Sequence, residues 1–260
     1  LGKIYRDGQG VEKDIQKAVA LFTLAATKEN SFAAFALGKL YLAGDAALPR
    51  DPAAALKWLT YAAELGNQFA QYRLGKLLLK GDDGIPKDVI TAIRWLTAAA
   101  KQENGYAEYA LALVYLTGED APKDSVKALS LLKRSAGRGN QFAQYRLGKL
   151  LLQGEDVPKD IETAVHWLTA AADQGNQYAQ YALGKLYLLG KEVPKDKSNA
   201  TKWFQLAADQ GSEYAQYFLE HMDDWLGQPP AAAVISLLHH LANIFQEQSQ
   251  PPSDGIRVAV

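Results

Sequence analysis

The sequence predicts an all-α solenoid of helix-turn-helix repeats, closed by a C-terminal capping helix. Three observations carry that reading. Leu1, Leu37, Leu74, Leu111, Leu147, Leu183 and Leu219 fall in one register, at steps of 36, 37, 37, 36, 36 and 36 residues, and a fixed period of this size marks stacked supersecondary units. Capping residues and glycines recur at the same places in every period. Between them the apolar spacing is helical: counting from Asp160, Ala164, Trp167, Leu168, Ala171 and Ala172 form one stripe down a helix face.

Each period divides into a helix A and a helix B. Helix A starts after Asn30, Asn67, Asn104, Asn140, Asn176 or Ser212, side chains that accept hydrogen bonds from the unpaired N–H groups of a helix start. It ends at Gly8, Gly44, Gly81, Gly118, Gly154 or Gly190, where glycine adopts the left-handed conformation that closes a helix. A loop with Pro49, Pro86, Pro122, Pro158 or Pro194 follows, and "GDAALPRD" and "GDDGIPKD" are one residue longer than "GEDVPKD" and "GKEVPKD". Insertions confined to one segment mark it as a surface loop. Helix B starts at Asp14, Asp51, Asp88, Asp124, Asp160 or Asp196, again capping residues. Gly139, Gly175 and Gly211 end it; Glu29 and Glu103 hold the same position and predict looser turns there.

Glycine also sits mid-helix, at Gly38, Gly75, Gly148 and Gly184. Each costs about 1 kcal/mol against alanine, so its recurrence in register predicts close contact between neighbouring helices. The sixth equivalent is Glu220, which predicts different packing where the array ends. The segment "GNQFAQYRLGKLLL" occurs twice, at 66–79 and 139–152, two repeat lengths apart. Duplication of a two-repeat block accounts for this, and repetition argues for a scaffold rather than a single catalytic site.

Bulk properties narrow the function further. A net charge of −1 over 260 residues offers no basic excess for phosphate neutralisation, so direct nucleic-acid or anionic-membrane binding finds no support. No cysteine is present, which removes thiolate chemistry and Cys-based zinc sites. No apolar run reaches the ~18 residues of a spanning helix. The chain opens at Leu1 in mid-pattern, without methionine, and reads as a fragment. Its compartment is therefore not determined, with a cytoplasmic location the working expectation and any signal peptide out of view.

The pattern A-x-x-x-L-G-x-x-Y-x-x-G, then V-P-K-D, then A-x-x-W-L-x-x-A-A-x-x-G resembles the Sel1-like repeat family, as in "AQYALGKLYLLGKEVPKD" and "AVHWLTAAADQGN" over about residues 1–226. The resemblance implies a right-handed α/α superhelix, related to tetratricopeptide arrays, that works as an adaptor without chemistry of its own. The lack of cysteine separates this chain from the secreted, disulfide-stapled branch of that family. After residue 226, "AAAVISLLHHLANIFQEQ" reads as a capping helix over 227–248, and residues 249–260 as an extended or disordered tail. That C-terminal arrangement is similar to the end of certain mobilisation relaxases of Gram-positive bacteria. The resemblance implies a DNA-nicking domain upstream and assigns no catalytic residue here.

The candidate partner-binding residues form a ladder on helix A. Phe35, Tyr72, Tyr109, Tyr145, Tyr181 and Tyr217 precede the register leucine by two residues; Lys3, Lys39, Lys76, Leu113, Lys149, Lys185 and His221 follow it by two. Tyrosine and lysine are therefore neighbours on one face. Gln71, Gln144, Gln180 and Gln216 flank them, with Glu108 in the matching place, and Arg73 and Arg146 recur in the duplicated block. Helix A lines the concave groove of tetratricopeptide-like arrays, so the resemblance places this ladder on a binding surface. There the aromatic faces with amide and ammonium donors suit an acidic peptide. The competing readings are inter-repeat packing for tyrosine, a solvated face for lysine, and pairing with nearby acids for the two arginines.

Trp58, Trp95, Trp167 and Trp203 share one helix-B position, filled elsewhere by Leu21 and Leu131, which reads as core. His239 and His240 are adjacent and point about 100° apart on a helix, and His166 falls at an exposed position, so no metal site emerges. Phosphate loops, nucleophile elbows and zinc-protease motifs are absent from the sequence. The expectation is a non-enzymatic scaffold with a protein or peptide partner and no cofactor, no metal, no specific small molecule, and no directly bound nucleic acid or membrane.

Overall fold

The computed structural model describes residues 1–81 and 84–223. Thirteen α-helices lie among them: α1 (Gly2–Asp7), α2 (Ile15–Ala26), α3 (Ser31–Ala43), α4 (Pro52–Glu64), α5 (Gln68–Lys80), α6 (Val89–Lys101), α7 (Gly105–Thr117), α8 (Ser125–Gly137), α9 (Gln141–Gln153), α10 (Ile161–Asp173), α11 (Gln177–Leu189), α12 (Lys197–Asp209) and α13 (Glu213–Glu220). Odd-numbered helices are the predicted helices A, and even-numbered ones the helices B. The capping helix, the tail and His239 and His240 lie outside the described residues.

A side-chain cap accounts for every helix start except that of α1, where Leu1 supplies none. The side chains of Asp14, Asp51, Asp88, Asp124, Asp160 and Asp196 each accept a hydrogen bond from the backbone N–H three residues on, at 2.8–3.0 Å. Asn30, Asn67, Asn104, Asn140, Asn176 and Ser212 do the same for helices A. At the ends of helices A, Gly8, Gly118 and Gly154 take the expected left-handed conformation. The longer loops differ: Gly44 (φ 69°, ψ 165°) and Gly81 (φ 65°, ψ 131°) swing into a region that residues with a side chain hardly enter.

The turns after α2 and α6 are as tight as the glycine turns, contrary to the sequence expectation. Glu29 (φ 60°) and Glu103 (φ 66°) adopt left-handed backbones. Asn30 N–H and Asn104 N–H reach back five residues to Ala25 and Ala99 carbonyls at 3.2 Å, as Asn67 N–H reaches Ala62 at 3.0 Å. The hydrogen-bond pattern that closes the turn outweighs the ~1–2 kcal/mol cost of a β-carbon in this conformation.

The chain divides into two compact units, Leu1–Ala179 and Gln180 onward. In the first unit the mid-helix glycines join the two helices of one repeat. A β-carbon at Gly38, Gly75 or Gly148 would lie 2.6–2.7 Å from Cγ of Leu59, Leu96 or Leu168, each fully buried. The fourth pair manages without glycine: Ala112 takes that place and Leu132 is still buried. Loops are joined by ion pairs from the lysine of one repeat to the aspartate of the next, Lys13–Asp45 at 2.8 Å and Lys87–Asp120 and Lys123–Asp156 at 2.6 Å. In the second unit Phe204 and Phe218 stack at 5.0 Å with Tyr181 against both rings, and Gly184 lies under Phe204. Glu220 is exposed and accepts a hydrogen bond from Gln216 Nε2.

The tryptophan position belongs to the core, as expected, but spans its interior and its rim. Trp58, Trp95 and Trp167 are half-buried, and only Trp203 is buried. The preceding residue stands over three of these rings: Lys57 at 5.8 Å, Arg94 at 4.9 Å and Lys202 at 4.2 Å. A large ring at a boundary position has one face on the core and leaves the other to a cation.

Candidate partner-binding face

The ladder tyrosines hold successive helices A together. Ring centroids lie 6.4 Å apart in Phe35–Phe69, 5.9 Å in Tyr72–Tyr106, 6.3 Å in Tyr109–Phe142 and 6.0 Å in Tyr145–Tyr178, all within the favourable aromatic range. The second member of each pair stands five residues before its register leucine, an aromatic position in every complete repeat that the sequence reading passed over. Tyr72, Tyr109, Tyr145 and Tyr181 remain half-buried rather than enclosed, and Tyr217 is exposed. Desolvation pushes the Tyr145 phenol up to about 12. It raises Tyr109 too, against the opposing charge of Arg146.

The flanking amides serve the interior. Gln71 Nε2 donates to the Ala63 carbonyl at 3.0 Å, and Gln71 Oε1 accepts from Gln102 Nε2 at 2.9 Å. Gln144 repeats the arrangement with Ala136 and Gln174, and in the second unit Gln180 accepts from Gln210. These side chains are buried, so Gln71, Gln144 and Gln180 are packing elements and not donors to a partner.

Glu108 breaks the amide chain and is compensated. It is fully buried, 2.6 Å from Arg134 and 3.3 Å from Arg138, although neither carboxylate oxygen has the alignment of a hydrogen bond. The interaction is therefore chiefly ionic. Arg138 occupies the place of Gln102 and Gln174, and Arg134 donates to the Ala100 carbonyl at 3.2 Å, replacing the amide donor that a carboxylate lacks.

The cations behave differently. Lys39 stands 5.3 Å over the Phe35 ring. Desolvation lowers its ammonium pKa first, followed by the charges of Arg6, Arg73 and Lys3, with Asp7 opposing. Cations from α1, α3 and α5 thus share one neighbourhood. Arg73 and Arg146 are half-buried, and neither pairs with a carboxylate among the described residues, contrary to one reading of the sequence. The reason is compositional: α3, α5 and α9 carry no Asp or Glu, and the acid of α7 is the buried Glu108. Lys76 and Lys149 are half-buried on the same helices. In the second unit Tyr181 packs on Phe204 and Phe218, and burial, then Lys191, lowers the Lys185 ammonium pKa.

A family model described as Sel1 repeat matches residues 1–30, 31–67, 68–104, 105–140, 141–176 and 177–212 in succession. The chain belongs to the Sel1 repeat family. Sel1 repeat proteins are in general protein-interaction scaffolds, and their fold is typically non-catalytic. Among solved structures, the chain is similar to a protective antigen of uropathogenic Escherichia coli described as displaying an SLR fold, at 33% identity and a TM-score of 0.78 over 88% of this chain and 49% of that one. It is also similar to a Sel1 repeat protein from Oxalobacter formigenes, at 34% identity and a TM-score of 0.76 over 85% of this chain and 63% of the other. This Sel1 array therefore spans less than two thirds of either relative. A comparison with curated proteins gives no match.

No group of three or more His, Asp or Glu side chains among the described residues is placed to hold a metal ion. No described helix is long and apolar enough to cross a membrane.

Proposed function

We propose that this chain is a non-enzymatic adaptor whose helix-A face, along α3, α5, α7 and α9, binds a partner protein or peptide. The contacts assigned are Tyr72, Arg73, Lys76, Tyr109, Tyr145, Arg146 and Lys149; Tyr181 and Lys185 would serve the same role within the second unit. The observation that carries the reading is the pair Arg73 and Arg146, half-buried, each following a ladder tyrosine in sequence, and lacking carboxylate partners among the described residues. Guanidinium groups in such settings are typical interface anchors. In related helical arrays this face lines the concave groove, which supports the same assignment.

A photo-crosslinking residue placed at Lys39 or Lys149 tests the proposal, with Ile90 on α6, 85% exposed, as the control on a helix B. Adducts with the same partner are expected from the two helix-A positions and not from Ile90. Equal labelling from all three, or labelling from Ile90 alone, would sink the assignment. The relaxase reading rests on residues 227–260, outside the described residues, and no observation favours it.

A further inference from the structure

Whole-chain charge conceals a segregation. Helices α1, α3, α5, α7 and α9 carry Lys3, Arg6, Lys39, Arg73, Lys76, Lys80, Arg146 and Lys149. Their acids are Asp7, engaged bidentately by Arg6 at 2.7 Å, and the buried Glu108. The near-neutral total is thus compatible with a helix-A surface that is basic along much of the first unit.

The basic character is interrupted at one rung. On α5 the register positions beside the leucine hold Arg73 and Lys76, and on α9 Arg146 and Lys149; on α7 between them they hold Ala110 and Leu113, both half-buried. The ring contacts Tyr72–Tyr106 and Tyr109–Phe142 establish that α5, α7 and α9 are successive neighbours. The surface therefore reads basic, apolar, basic, with a tyrosine on every rung.

Resting on the adaptor reading above, we infer that this face recognises an extended acidic segment of a partner protein, with two carboxylates flanking an apolar side chain. One carboxylate seats on Arg73, the other on Arg146, and the apolar residue lies on Tyr109 and Leu113. Adjacent packed helices stand about 8–10 Å apart, so α5 and α9 are separated by about 16–20 Å. An extended chain rises about 3.3 Å per residue, which places the two acids about five or six residues apart. Arginine matches carboxylate geometry through paired N–H donors. Charge complementarity selects the occupant: a basic partner meets unpaired like charge, and a wholly apolar one leaves two guanidinium groups desolvated without a counter-charge.

A random twelve-residue peptide library, selected against the full chain at physiological salt, tests this. Enriched sequences are expected to carry two acids about five or six positions apart with an apolar residue between them. Arg73→Glu and Arg146→Glu should each weaken such a peptide by about tenfold or more, with the thermal midpoint unchanged. Arg73→Gln and Arg146→Gln should give an intermediate loss. Enriched peptides that are displaced by Tyr109→Ala but show no acid preference would overturn the acidic motif while leaving the adaptor face standing. Peptides indifferent to every helix-A substitution, or no enrichment at all, would overturn both. Tight binding of a duplex oligonucleotide through the same arginines, without peptide enrichment, would also overturn the inference.

Discussion

The third and fourth repeats, α5–α6 and α7–α8, have the same backbone plan and solve the same packing problems with opposite chemistry. Where α5 has buried Gln71 joined to Gln102, α7 has buried Glu108 joined to Arg134 and Arg138. Where α5 brings Gly75 against Leu96, α7 uses Ala112. The turn before α5 is Gly66, and that before α7 is the left-handed Glu103. Arg73 and Lys76 give way to Ala110 and Leu113. The buried polar position tolerates an amide or a carboxylate because its partner on helix B of the same repeat changes with it, whereas glycine and alanine both serve against an unchanged leucine.

The sharpest way to break the comparison is Gln71→Glu, which puts a carboxylate into the amide layer without a cation. A loss of about 3 kcal/mol in chemical denaturation is expected, and adding Gln102→Arg should recover a large part of it. Failure of the second substitution to rescue would mean that Arg138 is incidental to Glu108. Gly75→Ala comes next, at about 2 kcal/mol, because its new β-carbon meets Leu96 Cγ rather than a flexible chain end. The reverse change, Ala112→Gly, should cost about 1 kcal/mol or less.

Glu108→Gln is expected to cost about 1–2 kcal/mol, less than Gln71→Glu. The arginines it strands are 50% and 33% exposed and can turn to water. Arg138→Gln in the same chain should restore the amide relay. Glu29→Gly should raise stability by about 0.5–1 kcal/mol by relieving its left-handed backbone, whereas Glu103→Gly gains less because it forfeits the contact with Arg138 at 2.9 Å. The smallest effect is a pH dependence at the α6 cap. The Thr91 hydroxyl, then its backbone N–H, holds the Asp88 carboxyl below its usual value. A lowered folded pKa supplies stability above about pH 4 that is lost as pH falls further. Asp88→Asn should flatten that acid limb of a stability titration, and an unchanged limb would remove Asp88 from the account.

Helix starts and stops were legible residue by residue because a cap acts on the backbone three residues away. Each predicted Asp and Asn cap is engaged, and the register glycines of the first unit meet the leucines of their own repeat. The errors share a cause. Side-chain type alone predicts loose turns at Glu29 and Glu103 because it hides the hydrogen bonds that hold them. Substitution by leucine marks the tryptophan position as core but does not reveal that Trp58, Trp95 and Trp167 stand at its rim. The sequence does not tell donors to a partner from packing amides at Gln71 and Gln144, or paired from unpaired cations at Arg73 and Arg146, because partners stand some 30 residues away or lie nowhere among the described residues.

The sequence by itself determined the repeat length, the helix boundaries and the family, since these rest on periodicity and on contacts within a few residues. Only the tertiary structure decided which polar groups are consumed in stacking and which remain on the helix-A face. That assignment depends on distances between layers. Burial turns an amide or a glutamate into part of the core, while Arg73 and Arg146 find no acid within reach among the described residues.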